Sequence, residues 1–348
     1  MATIKQIRSR IGEIAMTTMK QVAQLAGVSI STVSHVINNT RVVSSDVRQR
    51  VQGVIDDLRY IPSAVARSLK NDKTNTIGVL VPNSSNPYFA ELIGWIEDAA
   101  FQRGYNMILC NAHGGVRKQA AYLRLLMGKR IDGLVLVASG ADDERDLMLR
   151  HEAVPIVQLE RALPGLDADL VLAGQEEGAY QATRYLLGLG HRAIGCVSGP
   201  PDLPRARERV AGYLRAMGEA GLPVPPGRIV HDEFTSAGGH AAFARLLGQP
   251  HPPSAVFVAS DLMALGALCA AGRAGVNIPD ELSVIGYDDI DGAGYTNPPL
   301  TTVAPPKREM ASLAIEQLID RIKGLHAPLR ATALSSTLVV RASTGPLL

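Results

Sequence analysis

Between residues 19 and 58 apolar side chains recur at helical spacing: Val22, Leu25 and Ala26, then Val33, Val36 and Ile37, then Val47, Val51, Val54, Ile55 and Leu58. Three short amphipathic helices are predicted, packed stripe to stripe in a small core. Between the first two, Gly27 can adopt the left-handed turn and Ser29 can cap the second helix, while Ser45 can cap the third. This is helix-turn-helix spacing. From residue 76 the pattern changes. Short apolar runs at 77–81, 107–110 and 133–138 alternate with helical stretches at 88–103 and 118–129. A second set follows, with strands at 193–197, 229–231, 255–258 and 283–286 and a helix from about 205 to 220. Alternating β and α elements predict an α/β body of parallel sheets with helices on both faces, in two lobes of roughly 100 residues each. Ligands of such sheets lie beyond the carboxyl ends of the strands, which points to the cleft between the lobes.

Charge sharpens this division. The 348-residue chain has a net charge of only +2, but residues 1–75 carry +6 and the remainder −4. A basic helical end joined to a mildly acidic body suits an acidic polymer as partner. On the polar side of the second helix, Ser31, Thr32, Ser34 and His35 offer short hydrogen-bonding groups without a carboxylate that would repel phosphate, as a major-groove reader requires. Downstream, Pro62 can start a helix of about nine residues, too short to be stable alone. Arg67 and Lys70 in it supply phosphate charge, and Leu69, lacking a local core, can wedge between base steps from the minor groove.

Several chemistries are disfavoured. Cys110, Cys196 and Cys269 show no metal-ligand spacing and read as buried, reduced thiols. The N-terminal residues carry four charges and no apolar core segment, and no long uncharged apolar run occurs. A cytoplasmic protein without a membrane partner is expected. The chain lacks dinucleotide, Walker, nucleophile-elbow and zincin motifs, so no catalytic residue, metal or cofactor is assigned. The eight histidines do not cluster, and His113 and His191 fall at turns where solvation is expected. An enzyme carrying a DNA-binding domain is the alternative outside the class of binding proteins.

Strand ends of the body carry Asn86-Pro87-Tyr88-Phe89, Ser139, Arg207, Phe234, Ser260-Asp261 and Tyr287-Asp288-Asp289. Aromatic faces, carboxylates and a guanidinium together suit a polyol, whose C–H patches stack and whose vicinal hydroxyls pair with charged groups. Each has a plainer reading: Asp261 can cap a helix, Arg207 can be a solvated helical residue, and a Phe can be core. Asp288, just past a buried strand, needs a partner for its carboxylate.

The run MKQVAQLAGVSISTVSHVIN followed by YIPSAVARSLK resembles the lactose/galactose repressor family, nearest its ribose-type and purine-type members. The resemblance implies that Ile30, Ser31 and His35 read operator bases and that Thr18, Thr32 and Arg41 lie near the DNA backbone. It makes 62–70 a hinge helix with Leu69 intercalating at the operator centre. The implied organisation is an N-terminal extension at 1–15, expected to be disordered, a helix-turn-helix domain at 16–61, a hinge and linker at 62–75 and an effector-binding and dimerisation core at 76–348. That core would be periplasmic-binding-protein-like, with lobe 1 at about 76–173 and 305–333 and lobe 2 at about 174–304 and 334–348. A homodimer on double-stranded operator DNA, controlled by a pentose or related sugar derivative, is the implied assembly. In ribose-type relatives the Asn86 to Phe89 stretch, Arg207 and Asp288 match effector contacts. Purine-type relatives have Arg and Thr where this chain has Leu203 and Arg205. Ala173-Gly174, Ser260 and Pro305 replace polar residues common in the family, leaving a purine or sugar-phosphate effector as the alternative to a free sugar.

Overall fold

In the computed structural model, residues 17–61, 73–112, 115–138, 154–325 and 328–347 are described, and the chain divides into two units, Met1–Thr74 and Asn75–Leu348. The first holds helices α1 (Met19–Ala26), α2 (Ile30–Asn38) and α3 (Ser45–Leu58). Thr18 caps α1 reciprocally: the Gln21 amide donates to its hydroxyl at 3.3 Å, and its own amide donates to Gln21 Oε1 at 2.8 Å. Gly27, at φ 63°, ends the helix in the left-handed conformation that a side chain would resist. Ser29 then caps α2, accepting from the Thr32 amide at 3.1 Å.

Val22, Ala23, Ala26, Val33, Val36, Val51 and Tyr60 form the buried centre of this unit. Two local expectations are corrected. Leu25 is about half exposed, and Ala23 takes the place in the core beside Val22 and Ala26. Ser45 is the first helical residue of α3, and Ser44 occupies the cap position without a side-chain bond.

The second unit is built on two six-stranded sheets. One contains β1 (Thr76–Val81), β2 (Asn106–Asn111), β3 (Gly133–Val137), β4 (Ile156–Leu159), β5 (Asp169–Ala173) and β11 (Ala331–Leu334), in the order β11-β5-β4-β3-β1-β2 and parallel throughout. The other contains β6 (Ile194–Ser198), β7 (Ile229–His231), β8 (Ala255–Val258), β9 (Ser283–Tyr287), β10 (Thr301–Ala304) and β12 (Thr337–Val339), in the order β12-β10-β9-β8-β6-β7. Only β12 runs antiparallel there. Central strands such as Gly133–Val137 and Ser283–Tyr287 are buried along their whole length, as expected when helices cover both faces of a parallel sheet.

Helices α4 (Pro87–Phe101) and α5 (Val116–Gly128) follow β1 and β2 in the first lobe. After Ala173 the chain crosses to the second lobe with α6 (Gln175–Gly188), and that lobe continues through α7 (Pro204–Glu219), α8 (Ser236–Leu247) and α9 (Asp261–Ala274). It returns after β10 with α10 (Lys307–Ile322), whose Met310, Ala311, Ala314, Ile315 and Leu318 join the core of the first lobe. The third crossing lies between β11 and β12. Three connections therefore tie the lobes together.

His191 does not behave as the turn around it suggested. It is buried, with Nδ1 2.9 Å from Ser254 Oγ and Nε2 3.0 Å from both Ser283 Oγ and the Gly345 carbonyl oxygen. It joins the C-terminal segment to strands of the second lobe, and burial holds its pKa below the ordinary imidazole value. As pH falls below ~6.5, the unfolded chain therefore takes up this proton before the folded one does, and stability declines. We expect the unfolding free energy of wild type to fall more steeply between pH 7.5 and 5.5 than that of His191→Gln, by at most about 1.4 kcal/mol per pH unit. Calorimetry checks this, and parallel slopes would count against it. Among the cysteines, Cys110 and Cys196 are buried as expected, but Cys269 is exposed on the outer side of α9. His113 lies outside the described residues.

Candidate functional site

In the helical unit, the polar face of α2 is ordered by its own side chains. Ser29 Oγ lies 2.7 Å from Ser31 Oγ and 2.8 Å from Thr32 Oγ1, Asn38 Nδ2 donates to the Ser34 carbonyl at 2.9 Å, and His35 Nδ1 is 2.8 Å from Thr40 Oγ1. Thr18, Ile30, Ser31 and Arg41 are exposed, and Thr32, Ser34 and His35 are partly so. Ile30 is 49% exposed, an apolar side chain at the start of α2 that the small core does not take up. Arg67, Leu69 and Lys70 lie outside the described residues, as do the extension at 1–15, hinge positions 62–72 and Ser139.

In the second unit a chain of buried polar side chains runs from one lobe to the other. Asn86 caps α4 by accepting from the Tyr88 amide at 3.0 Å, which sets Tyr88 and Phe89 at the head of that helix. The Tyr88 hydroxyl donates to Glu160 Oε1, and Gln175 Nε2 donates to Glu160 Oε2 at 3.0 Å. Arg209 Nε donates to Gln175 Oε1 at 2.8 Å. The same guanidinium donates to the Ala259 carbonyl at 2.6 Å and to Asp288 Oδ1 at 2.9 Å, and lies over the Tyr287 ring at 3.7 Å. The relay thus passes from Tyr88 and Glu160 in the first lobe to Arg209 and Asp288 in the second.

Two more links span the lobes beside this relay. Lys307 Nζ lies 2.5 Å from Glu91 Oε2 and donates to the carbonyls of Asp288 and Asp289 at 3.0 and 2.8 Å. The Asp291 amide donates to Glu91 Oε1 at 2.9 Å.

Burial dominates the electrostatics. It pushes the Tyr88 phenol well above its usual range, with the Glu160 charge adding to the effect, and it raises Glu160 despite the hydrogen bond from Tyr88. For Arg209, burial is the largest influence and acts to lower the pKa, but the charge and hydrogen bond of Asp288, with Tyr287 and Glu160, together outweigh it and leave the guanidinium above its ordinary value. Glu160 and Asp288 both hold positive φ angles, 77° and 113°. Such backbone costs on the order of 1–3 kcal/mol at a non-glycine residue and persists where surrounding contacts over-determine it, often at ligand clamps.

The structure brings together Asn86, Tyr88, Phe89 and Asp288, and Phe234 reaches the same region through Arg205, whose guanidinium lies 5.3 Å from the Phe89 ring centre and 4.2 Å from that of Phe234. Ser260 is buried at the cap position of α9, next to the Ala259 carbonyl that Arg209 engages, and its hydroxyl has no hydrogen-bond partner. Asp261 does not cap α9, whose cap position is Ser260. It accepts from Thr302 Oγ1 at 2.6 Å and from the Ile290 amide at 3.1 Å, fastening β10 to the loop after β9.

Arg207 stands apart. It is exposed and donates to the Asp202 carbonyl at 2.9 Å, while Arg209, two residues on, enters the cleft. The helical period shows why: Ala206, Arg209, Tyr213 and Ala216 repeat at three and four residues and form the buried face of α7. That spacing was a usable sequence signal. Glu160, Gln175 and Arg205 were also missed, and for Glu160 and Gln175 the only local signal was a position at the end of a strand or just after one.

A cleft braced across two α/β lobes, carried on a chain that begins with a helix-turn-helix unit, has close counterparts among known proteins. Residues 18–63 match the family model for bacterial regulatory proteins of the lacI family, and residues 183–344 match that for a periplasmic binding protein-like domain. The chain is 42% identical over 329 residues to the HTH-type transcriptional repressor PurR of Photobacterium profundum, spanning 94% of this chain and 98% of that one. It is 45% identical over 308 residues to the Ribose operon repressor of Escherichia coli K12, spanning 88% and 93%. The chain belongs to the lacI family.

This lacI-family member is a sequence-specific DNA-binding transcriptional regulator and not an enzyme. The solved lac repressor dimer bound to operator and the anti-inducer ONPF is similar, with a TM-score of 0.86 at 26% identity, covering 95% of this chain and 100% of that one. Among the described residues of the regulator, no helix is long and apolar enough to cross a membrane, and no cluster of three His, Cys, Asp or Glu could hold a metal ion.

Proposed function

We propose that this regulator is a repressor that binds a palindromic operator in the cytoplasm as a homodimer, and that a sugar-like effector in the interlobe cleft controls its grip. The observation that carries the effector reading is the buried relay Tyr88–Glu160–Gln175–Arg209–Asp288. Carboxylates, a guanidinium and aromatic rings converge there from both lobes, and a polyol can replace their mutual hydrogen bonds one for one. A ligand held by Tyr88 on one side and by Arg209 and Asp288 on the other favours a particular angle between the lobes. It can shift the population only by its difference in affinity for the two lobe arrangements. Residues 62–70, which lie outside the described residues, are the proposed coupling element in this reading.

On the DNA side, Ile30, Ser31 and His35 are the proposed base readers, with Ser34 beside them on the same face of α2. The contact of His35 Nδ1 with Thr40 orients the ring and leaves Nε2 for a base edge. Thr18, Thr32 and Arg41 are proposed to meet the backbone, as are Arg67 and Lys70, with Leu69 as the wedge. His35→Ala is expected to weaken operator binding by about 1–3 kcal/mol and to relax preference at one base position. In-vitro selection followed by gel shift with the selected duplex checks this. An unchanged preferred sequence and affinity would reject the reading of α2, and adding sugars to the same gel tests whether the effector releases or tightens the complex.

A further inference from the structure

Most charged groups of the cleft are matched within the chain: Arg209 by Asp288, Lys307 by Glu91, Arg341 by Asp289, and Glu160 by donors from Tyr88 and Gln175. Arg205 differs. It lies one turn before Arg209 on α7, so the two guanidiniums occupy neighbouring positions on one helix face. Among the described residues it forms no hydrogen bond or ion pair, and its Nε is buried without an acceptor. What it has instead are two aromatic faces, Phe89 from the first lobe and Phe234 from the second. An aromatic face attracts a cation but accepts none of its N–H groups in a directed hydrogen bond. The neighbouring charge of Arg209 adds repulsion, which together with burial lowers the Arg205 pKa.

Buried hydroxyls without partners lie at the carboxyl ends of two paired strands of the second sheet. Ser198 ends β6 and Ser260 follows β8, and neither Oγ has a hydrogen-bond partner. Ser198 is next to Gly199, where a Cβ would overlap the Phe234 ring, so that strand end lies directly against the ring on which Arg205 stacks. A neutral polyol could offer Arg205 hydroxyl oxygens, but no negative charge to offset a buried guanidinium that lies beside a second one, Arg209. A phosphate or carboxylate offers the planar or near-planar pair of oxygens that a guanidinium binds in two-point fashion, and hydroxyl donors complete its shell.

Building on the proposed sugar effector in this cleft, we infer that the effector carries an anionic group, a phosphate ester or a carboxylate on the sugar, and that Arg205 receives it. The aromatic pair holds the guanidinium between the lobes before the ligand arrives. The relay residues then take the hydroxyls, and Arg205 distinguishes the acidic derivative from its neutral parent.

The test is titration calorimetry on the full-length protein with matched sets: ribose, ribose 5-phosphate and ribonate, then glucose, glucose 6-phosphate and gluconate, with guanine alongside. At least one phosphate or carboxylate is expected to bind ten-fold or more tightly than its neutral parent, and the set that responds identifies which anion is used. Arg205→Gln should bring anionic and neutral members within about three-fold of one another, and Arg205→Lys should keep part of the margin. Because Arg205 makes no hydrogen bond among the described residues, the melting temperature of unliganded Arg205→Gln should stay near wild type. Equal binding of neutral and anionic members, unaffected by Arg205→Gln, would overturn the anionic assignment while leaving a sugar in the cleft. Binding of guanine alone would overturn both, and no binding by any acid or phosphate in the panel would overturn the inference about Arg205.

Discussion

Replacing Arg209 with Met is expected to destabilise the two-lobed unit by about 3–5 kcal/mol, the usual penalty for removing one partner of a buried ion pair. The Arg209 and Asp288 side chains are only 3% and 6% exposed, so Asp288 would be left as an uncompensated carboxylate away from water. Gln175 Oε1 and the Ala259 carbonyl would lose their donor in the same step. The midpoint of the corresponding urea transition reports the loss. The double variant Arg209→Met/Asp288→Leu should recover part of it, because replacing both members of such a pair by apolar groups is often close to neutral. If the double variant were as unstable as the single one, the cost would lie in Gln175 and Ala259 rather than in the ion pair. Effector response should be lost in both variants, since the guanidinium is the centre of the relay between the lobes.

Gly266→Ala is expected to cost about 3 kcal/mol, at the upper end of what overpacking does, whereas Gly272→Ala in the same helix should be neutral or stabilise by up to about 1 kcal/mol. A Cβ on Gly266 would overlap the backbone carbonyl of Ser236 and come within 2.7 Å of the His240 amide, so α8 and α9 would have to move apart. Around Gly272 nothing lies within 4 Å. Backbone cannot yield as a flexible side-chain tip can, which is why the same substitution, six residues apart, carries opposite signs. Thermal unfolding of the two single variants distinguishes them, and equal effects would refute the close helix contact. Gly239 faces the Met263 backbone in the same way, so this helix pair is closed by glycine at two positions.

The plan of the molecule was legible along the chain because its cause is local. Apolar spacing of three and four residues before residue 59 favours helices, Gly27 and Ser29 punctuate them, and short continuous apolar runs such as 133–137, too brief for a helix, fit strands covered on both faces. Strand ends in that pattern led directly to Tyr88, Phe89 and Asp288, since residues just beyond a buried parallel strand face the cleft. The unequal charge of the two parts, +6 against −4, likewise needed no coordinates.

The sequence by itself determined a helix-turn-helix unit ahead of a two-lobed α/β body and the cleft that body must contain. Only the tertiary structure decided which polar groups meet there. Tyr88 and Glu160 are 72 positions apart and Arg209 and Asp288 are 79 apart, so no local pattern records either contact. The choice of Arg209 over Arg207 lay between the two cases: the α7 period carries it, but only for a reader who already knows which face is buried. His191 and Arg205 went the other way, one buried despite its turn and one left without an acceptor despite its charge. Periodicity reflects the shape of a single element, which the backbone repeats every few residues. The fate of a polar side chain is set by whatever distant strand or helix arrives against it, and that is fixed only when the lobes pack.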